Sequence, residues 1–304
     1  MKTRNLLFIP LLLTGCSMNE SEFSIMVPSG APAVCFASFL GYSNFEVNSG
    51  AASNILAQMV NENVDVAVLP TNAGVQGIVK QNLNYQIAAT ITFGNLYIAS
   101  TGLDEDDVMG PDDYVVAFQK GQVPDKIFQS VYDLGSAVNY VESAQEAAMC
   151  LKKKANPFDE NHPVEYVLMA EPALTKLKNS GTSFEIYSSI QDEYKTKYAG
   201  QQIFQASIFV RKSLDHDAVV NFLSRVKSYV NVLKDNPKTL DNCKAVNENA
   251  DRILGIELES AKQSISEDNR LGIGFEYAHE HKSEIDTFLK LWNMSDTNEE
   301  IYFK

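Results

Sequence analysis

Positive charge is scarce in this chain. Its 25 lysines and arginines face 39 aspartates and glutamates, for a formal net charge of -14. Phosphate contacts need clustered basic residues, so nucleic acid is excluded as a partner. Charge alone does not exclude a small anionic ligand, because backbone N–H groups at helix ends can hold one. Cysteine is nearly as scarce, at positions 16, 35, 150 and 243, far apart and with no C-x-x-C and no adjacent histidine. That spacing removes zinc, iron–sulfur and redox-motif readings. G-x-S-x-G, H-E-x-x-H, P-loop and dinucleotide signatures are all missing, so the sequence offers no catalytic residue and no cofactor. His279 and His281 flank Glu280 in A-H-E-H, but only His162 and His216 accompany them elsewhere. They read as solvated residues at a helix start, with no metal site expected.

What the chain does contain is a repeated construction, clearest at Val64 to Asn72, V-D-V-A-V-L-P-T-N. The β-branched run reads as a parallel strand buried on both faces, and Pro70 ends it. Thr71 or Asn72 can then cap a helix beginning at Ala73. Strand, small-residue turn and helix occur earlier as well: Phe23 to Val27 leads into Ser29-Gly30-Ala31-Pro32, and Phe45 to Val47 into Ser49-Gly50. The pattern returns at Tyr114 to Phe118 before Gln119-Lys120-Gly121-Gln122, at Asn139 to Val141 before Ser143, and at Val164 to Met169 before Glu171-Pro172. Short βα connections of this kind make mostly parallel sheets. Ser143 with Glu146 forms a capping box, and the lysines at 152 to 154 lie in that helix's last turn, where positive charge is favourable.

The remainder divides the molecule. Tyr85 to Thr92 and Asn95 to Ser100 read as strands, and the acidic stretch Thr101 to Asp113 is a surface connection. It lacks calcium-loop spacing. Ile203 to Val210 is a strand returning to the first lobe, followed by helices Ala218 to Leu233, Pro237 to Leu254 and Leu258 to Ile265, and a last helix from Lys282 to Trp292. The expected division is 23–101 plus 205–304 for lobe 1 and 102–204 for lobe 2. Hinges are expected at Ser100 to Leu103 and Gln202 to Gln205. Cys35 and Cys150 fall on apolar helix faces, and an odd count beyond Cys16 argues against a disulfide framework.

The first sixteen residues pair a basic start, Lys2 and Arg4, with an apolar run, Leu6 to Leu13, too short to span a bilayer. The L-T-G-C ending at Leu13 to Cys16 resembles the lipobox of bacterial lipoproteins. That resemblance implies a signal peptide at 1–15, lipid on Cys16, a tether at 16–22, and residence on the outer face of the cytoplasmic membrane.

Further likenesses are G-A-P at Gly30 to Pro32, V-x-V-A-V-L-P-T-N, G-N-L-Y at Gly94 to Tyr97, E-P at Glu171, and G-F-E-Y-A at Gly274 before an amphipathic helix. With them the chain resembles the type 2 periplasmic binding proteins, in the branch of nitrate, sulfonate, taurine and thiamine-precursor ABC transport receptors. The resemblance implies an α/β fold of two lobes, each a mixed, mostly parallel sheet flanked by helices, with two crossings between them. It further implies a monomer that closes on a small-molecule solute and delivers it to an ABC permease. Carried over by position, the ligand contacts would be Ser29, Gly30, Ala31, Pro32, Ser49, Gly50, Thr71, Asn72, Thr92, Gly94 and Asn95 in lobe 1. In lobe 2 they would be Gln119, Lys120, Gly121, Gln122 and Glu171. Receptors for strong anions often carry a pocket arginine. Arginine is rare here and Glu171 would repel an anion, which leaves a heterocycle such as a thiamine pyrimidine precursor equally open. A sensing or adhesion lipoprotein of the same fold, or an enzyme built on it, are the alternatives.

Overall fold

The computed structural model describes residues 21–103, 108–294 and 297–304. The expected signal peptide, Cys16 and most of the tether lie outside the described residues. The first lobe begins with β1 (Ile25–Pro28), α1 (Ala31–Cys35), β2 (Phe45–Asn48), α2 (Ala52–Val60), β3 (Val66–Pro70), α3 (Thr71–Gln81) and β4 (Tyr85–Thr92). The second holds β5 (Leu96–Ser100), β6 (Val115–Phe118), α4 (Val123–Val131), β7 (Val138–Val141), α5 (Ala144–Lys153), β8 (Tyr166–Ala170), α6 (Ala173–Asn179), β9 (Glu185–Ser189) and α7 (Ile190–Lys197). The chain then returns through β10 (Ala206–Arg211), α8 (His216–Asp235), α9 (Asp241–Val246), α10 (Ala250–Leu254), α11 (Leu258–Ser266), β11 (Ile273–Tyr277) and α12 (Lys282–Leu289).

Two sheets result, with strand orders β11-β4-β10-β3-β1-β2 and β7-β6-β8-β5-β9. In each, three strands run parallel, β2-β1-β3 in one and β7-β6-β8 in the other. The strand arriving from the opposite lobe inserts antiparallel beside the third, β10 next to β3 and β5 next to β8. The sequence similarity between Val64–Asn72 and Val164–Pro172 thus marks equivalent central strands. Val66 to Leu69 and Tyr166 to Met169 are fully buried, as strands covered on both faces must be. Burial of each valine, leucine and methionine side chain among them contributes roughly 1.5–3 kcal/mol, well above an exposed ion pair.

Four expectations are corrected. Leu96–Ser100 pairs in the second sheet, so the chain crosses at 93–95, and Ser100 to Leu103 lie at the far end of β5, already within the second lobe. Thr71 is the first helical residue and does not cap α3; its hydroxyl meets Ser207 Oγ at 2.7 Å inside the sheet. The helix expected over Pro237 to Leu254 breaks at 247–249, where Asn247 Oδ1 accepts from the Asn249 N–H, a local bond that competes with the helix. The expected last helix ends at Leu289 and closes with a 3-10 turn. Edge strand β9 and α7 escaped the sequence reading, since E-I-Y-S-S is short and partly exposed.

Cys35, Cys150 and Cys243 are free and buried, and burial pushes each thiol up. We expect none of the three to react with a thiol reagent at pH 8 in the native protein, and all three to react in denaturant. Peptide mass mapping of the labelled cysteines checks this, and rapid native labelling of any of them would contradict it.

Candidate functional site

The turns after the central strands are tied to the crossings by the same bond in both lobes. Thr71 N donates to Gln205 O at 3.1 Å, and Glu171 N donates to Asn95 O at 2.9 Å. Asn95 Nδ2 returns a bond to Glu171 O at 2.9 Å. The crossings also touch each other, with the Phe93 ring edge-on to Phe204 at 5.8 Å. The ends of β3 and β8 therefore face one another across a hollow with both crossings beside it.

That hollow has a volume of about 960 Å³ and is lined from both lobes. Of the expected contacts, Ser29 to Pro32, Gly50 and Thr92 line it from the first lobe, and Gln119, Gln122 and Glu171 from the second, with Asn95 at the crossing. Gly30 has a φ of 92° and nothing within 4 Å of a would-be Cβ. Its glycine is demanded by the backbone, which turns there so that its N–H reaches Leu254 O. Asn48 shapes the next turn by donating to Gly50 O and Ala51 O.

The other expected contacts lie elsewhere. Ser49, Thr71, Asn72, Lys120 and Gly121 are not in the lining, and Gly94 borders a separate hollow of about 540 Å³. Gly121 N instead donates to Asp125 at 2.6 Å, and Lys120 lies 5.0 Å over the Tyr140 ring. Tyr140, its hydroxyl pushed up to about 12 by burial, stays protonated and donates to Asp125 at 2.8 Å.

Sequence reasoning missed that α5 and the α10–α11 connection line the hollow. Ala144, Ala148 and Lys152 recur at helical spacing on one side of α5 and face the hollow, while Ala147, Cys150 and Leu151 face the core. The signal was present: a second, small-residue stripe on a helix whose apolar stripe is already spent on the core. Gly255, Ile256 and Glu257 close the hollow from the first lobe.

The charges at the cleft are uneven. Glu171, whose side chain is fully buried, is held by Arg270 at 3.0 Å and accepts from Thr175 N and Oγ1, both at 3.1 Å. Its charge is therefore consumed within the protein. Lys176 reaches Glu257 at 3.7 Å, joining the lobes across the cleft. Among the described residues, Lys152 is left as a cleft cation without a carboxylate within ion-pair distance. Arg211 takes no part; it pairs with Asp65 at the opposite end of β3. No histidine or cysteine is among the described lining residues.

No protein-family model and no curated protein sequence matches the chain. Solved structures do match its shape. An ABC transporter structure from Parabacteroides distasonis is similar at a TM-score of 0.66, with 17% identity, covering 88% of this chain and 90% of that one. A gene product of Candida albicans, described as having the generic periplasmic binding protein structural fold, is similar at 0.52, with 13% identity and 92% of each chain covered. The chain has the periplasmic binding protein fold. The periplasmic aliphatic sulphonate binding protein of Escherichia coli shares that fold at a TM-score of 0.60 with 9% identity, covering 88% of this chain and 85% of that one. In an open α/β sheet, ligands bind beyond the carboxyl ends of the parallel strands, and here both lobes direct those ends into one cleft.

Proposed function

We propose that this protein is the solute-binding component of an ABC-type import system, held outside the cytoplasmic membrane by lipid on Cys16 and working with a membrane permease as a monomer. The observation that carries the reading is the cleft between two lobes whose central strands are both hydrogen-bonded to the crossings. Rotation about 93–95 and 202–205 would close that cleft on a solute. The solute class we infer is an organic anion with an apolar body. Glu171 is neutralised by Arg270 and cannot repel it, Lys152 is free to meet it, and most of the lining is carbon. Similarity of fold to a sulphonate binding protein and to an ABC transporter structure supports the same reading. A heterocyclic amine remains the second reading, because Gln205 Oε1 is a buried acceptor at the cleft without a partner.

Thermal-shift titration with alkyl sulfonates, oxyanions, amines and pyrimidines tests this. A ligand at 100 times its Kd adds about 2.7 kcal/mol to stability. We expect an organic anion to raise Tm, to contract the particle in solution scattering, and to lose at least tenfold in affinity in Lys152→Met. Stabilisation by amines alone, strengthened in Lys152→Met, would reverse the charge assignment.

A further inference from the structure

We propose that Glu276, Glu280 and His281 form a binding site for a divalent metal ion of the zinc class, at the corner where β11 leads into α12. None of the three residues is in the cleft lining, and the site does not depend on the solute-binding reading.

The sequence alone shows only A-H-E-H, in which the two histidines are the natural pair. Folding selects different partners. Residues Ala278–His281 form one 3-10 turn between β11 and α12, which brings the strand residue Glu276 alongside the turn. One potential ligand atom from each of Glu276, Glu280 and His281 lies within 4.8 Å of the others. His279 is outside this group, exposed, with its ring 5.8 Å from Tyr277.

The geometry of His281 is that of a prepared ligand. Its Nδ1 is hydrogen-bonded to Glu284, which fixes the ring as an outer carboxylate fixes a metal-binding imidazole. Its Nε2 faces Glu276 Oε2 at 3.4 Å. Two donors bound to one ion at about 2.1 Å stand roughly 3.0–3.5 Å apart, so this pair already has the required separation. Three carboxylates, Glu276, Glu280 and Glu284, gather around one imidazole there. A divalent ion with one imidazole and two carboxylate oxygens would offset two of the three negative charges and leave a coordination position for water. The acidic surface of the whole chain also favours cations near it. His281 is seated against Phe204 of the second crossing at a ring distance of 5.7 Å, which restrains the ring on the face away from solvent.

The test is calorimetric titration of the chelator-treated full chain with zinc chloride at pH 7.5, with cobalt(II) as a spectroscopic probe. We expect one saturable site, visible cobalt bands, and at least a tenfold rise in Kd in both Glu276→Gln and His281→Gln. His279→Gln should bind as the unaltered chain does. Thermal melts without metal show whether each variant is folded, and Glu276→Gln stands alone if His281→Gln is not. Zinc affinity unchanged in folded Glu276→Gln, affinity lost in His279→Gln, or no saturable binding up to millimolar zinc would each overturn the proposal.

Discussion

Arg270→Met is expected to lower the unfolding free energy by about 3 kcal/mol, because breaking a buried ion pair from one side strands the other charge. The stranded charge is Glu171, whose side chain has no exposure, against 14% for Arg270. Without the guanidinium, the carboxylate keeps only Thr175 and Ser264 as partners. The reverse change should cost less. In Glu171→Gln the amide oxygen can still accept from Thr175, and Arg270 keeps Glu267 at 2.7 Å. The double variant Arg270→Met/Glu171→Gln should recover much of the loss, since two neutral groups replace two buried charges. Urea unfolding of the four proteins checks the cycle. The pair joins the lobes, Glu171 following β8 and Arg270 preceding β11, so Arg270→Met should also loosen lobe orientation in scattering. Equal losses from both single variants, with no recovery in the double, would mean that the two side chains act independently.

Gly272→Ala should cost roughly 3 kcal/mol or more, from two separate causes. At a φ of 68° a side chain is strained by about 1–2 kcal/mol. A Cβ there would also lie 2.0 Å from Gly94 O and 2.8 Å from its carbonyl carbon, backbone atoms that no rotamer change can move. The close approach has a purpose: Phe93 N donates to Gly272 O at 2.8 Å, fastening the first crossing to the turn before β11. Gly181→Ala separates the causes, because its φ is 82° yet nothing lies within 4 Å of a would-be Cβ. It should lose only the strain, about 1–2 kcal/mol. Urea unfolding midpoints measure both, and equal losses would show that the crossing yields freely.

How much of this was legible depended on whether local chemistry decided the outcome. The central strands were readable because V-D-V-A-V-L-P and V-E-Y-V-L-M-A carry the mark of burial on both faces. The capping box of α5 was readable too: Ser143 Oγ accepts from Glu146 N at 3.2 Å. Sheet membership was not, because Leu96–Ser100 is equally apolar in either sheet, and only its pairing with β8 decides. Thr71 misled because a hydroxyl at a helix start is a capping signal locally, while Ser207, 136 residues away, claims it in the fold. The cleft lining was legible where turns supplied it and obscure where helix faces did. Lys152 has a satisfactory local explanation at its helix end, and nothing near it in sequence reveals the opposite lobe. The same holds for Arg270, whose partner Glu171 is distant in the chain.

The claim that the interlobe cleft holds a solute is tested most directly by native mass spectrometry of the unaltered chain and of Ala148→Trp, each exposed to a bacterial metabolite extract. Ala148 lines the cleft from α5, and an indole there would occupy solute space. The account predicts one small molecule bound at one per chain, released unchanged on denaturation, and lost or strongly weakened in Ala148→Trp. No bound molecule in the unaltered chain, or the same molecule retained equally in Ala148→Trp, would contradict it.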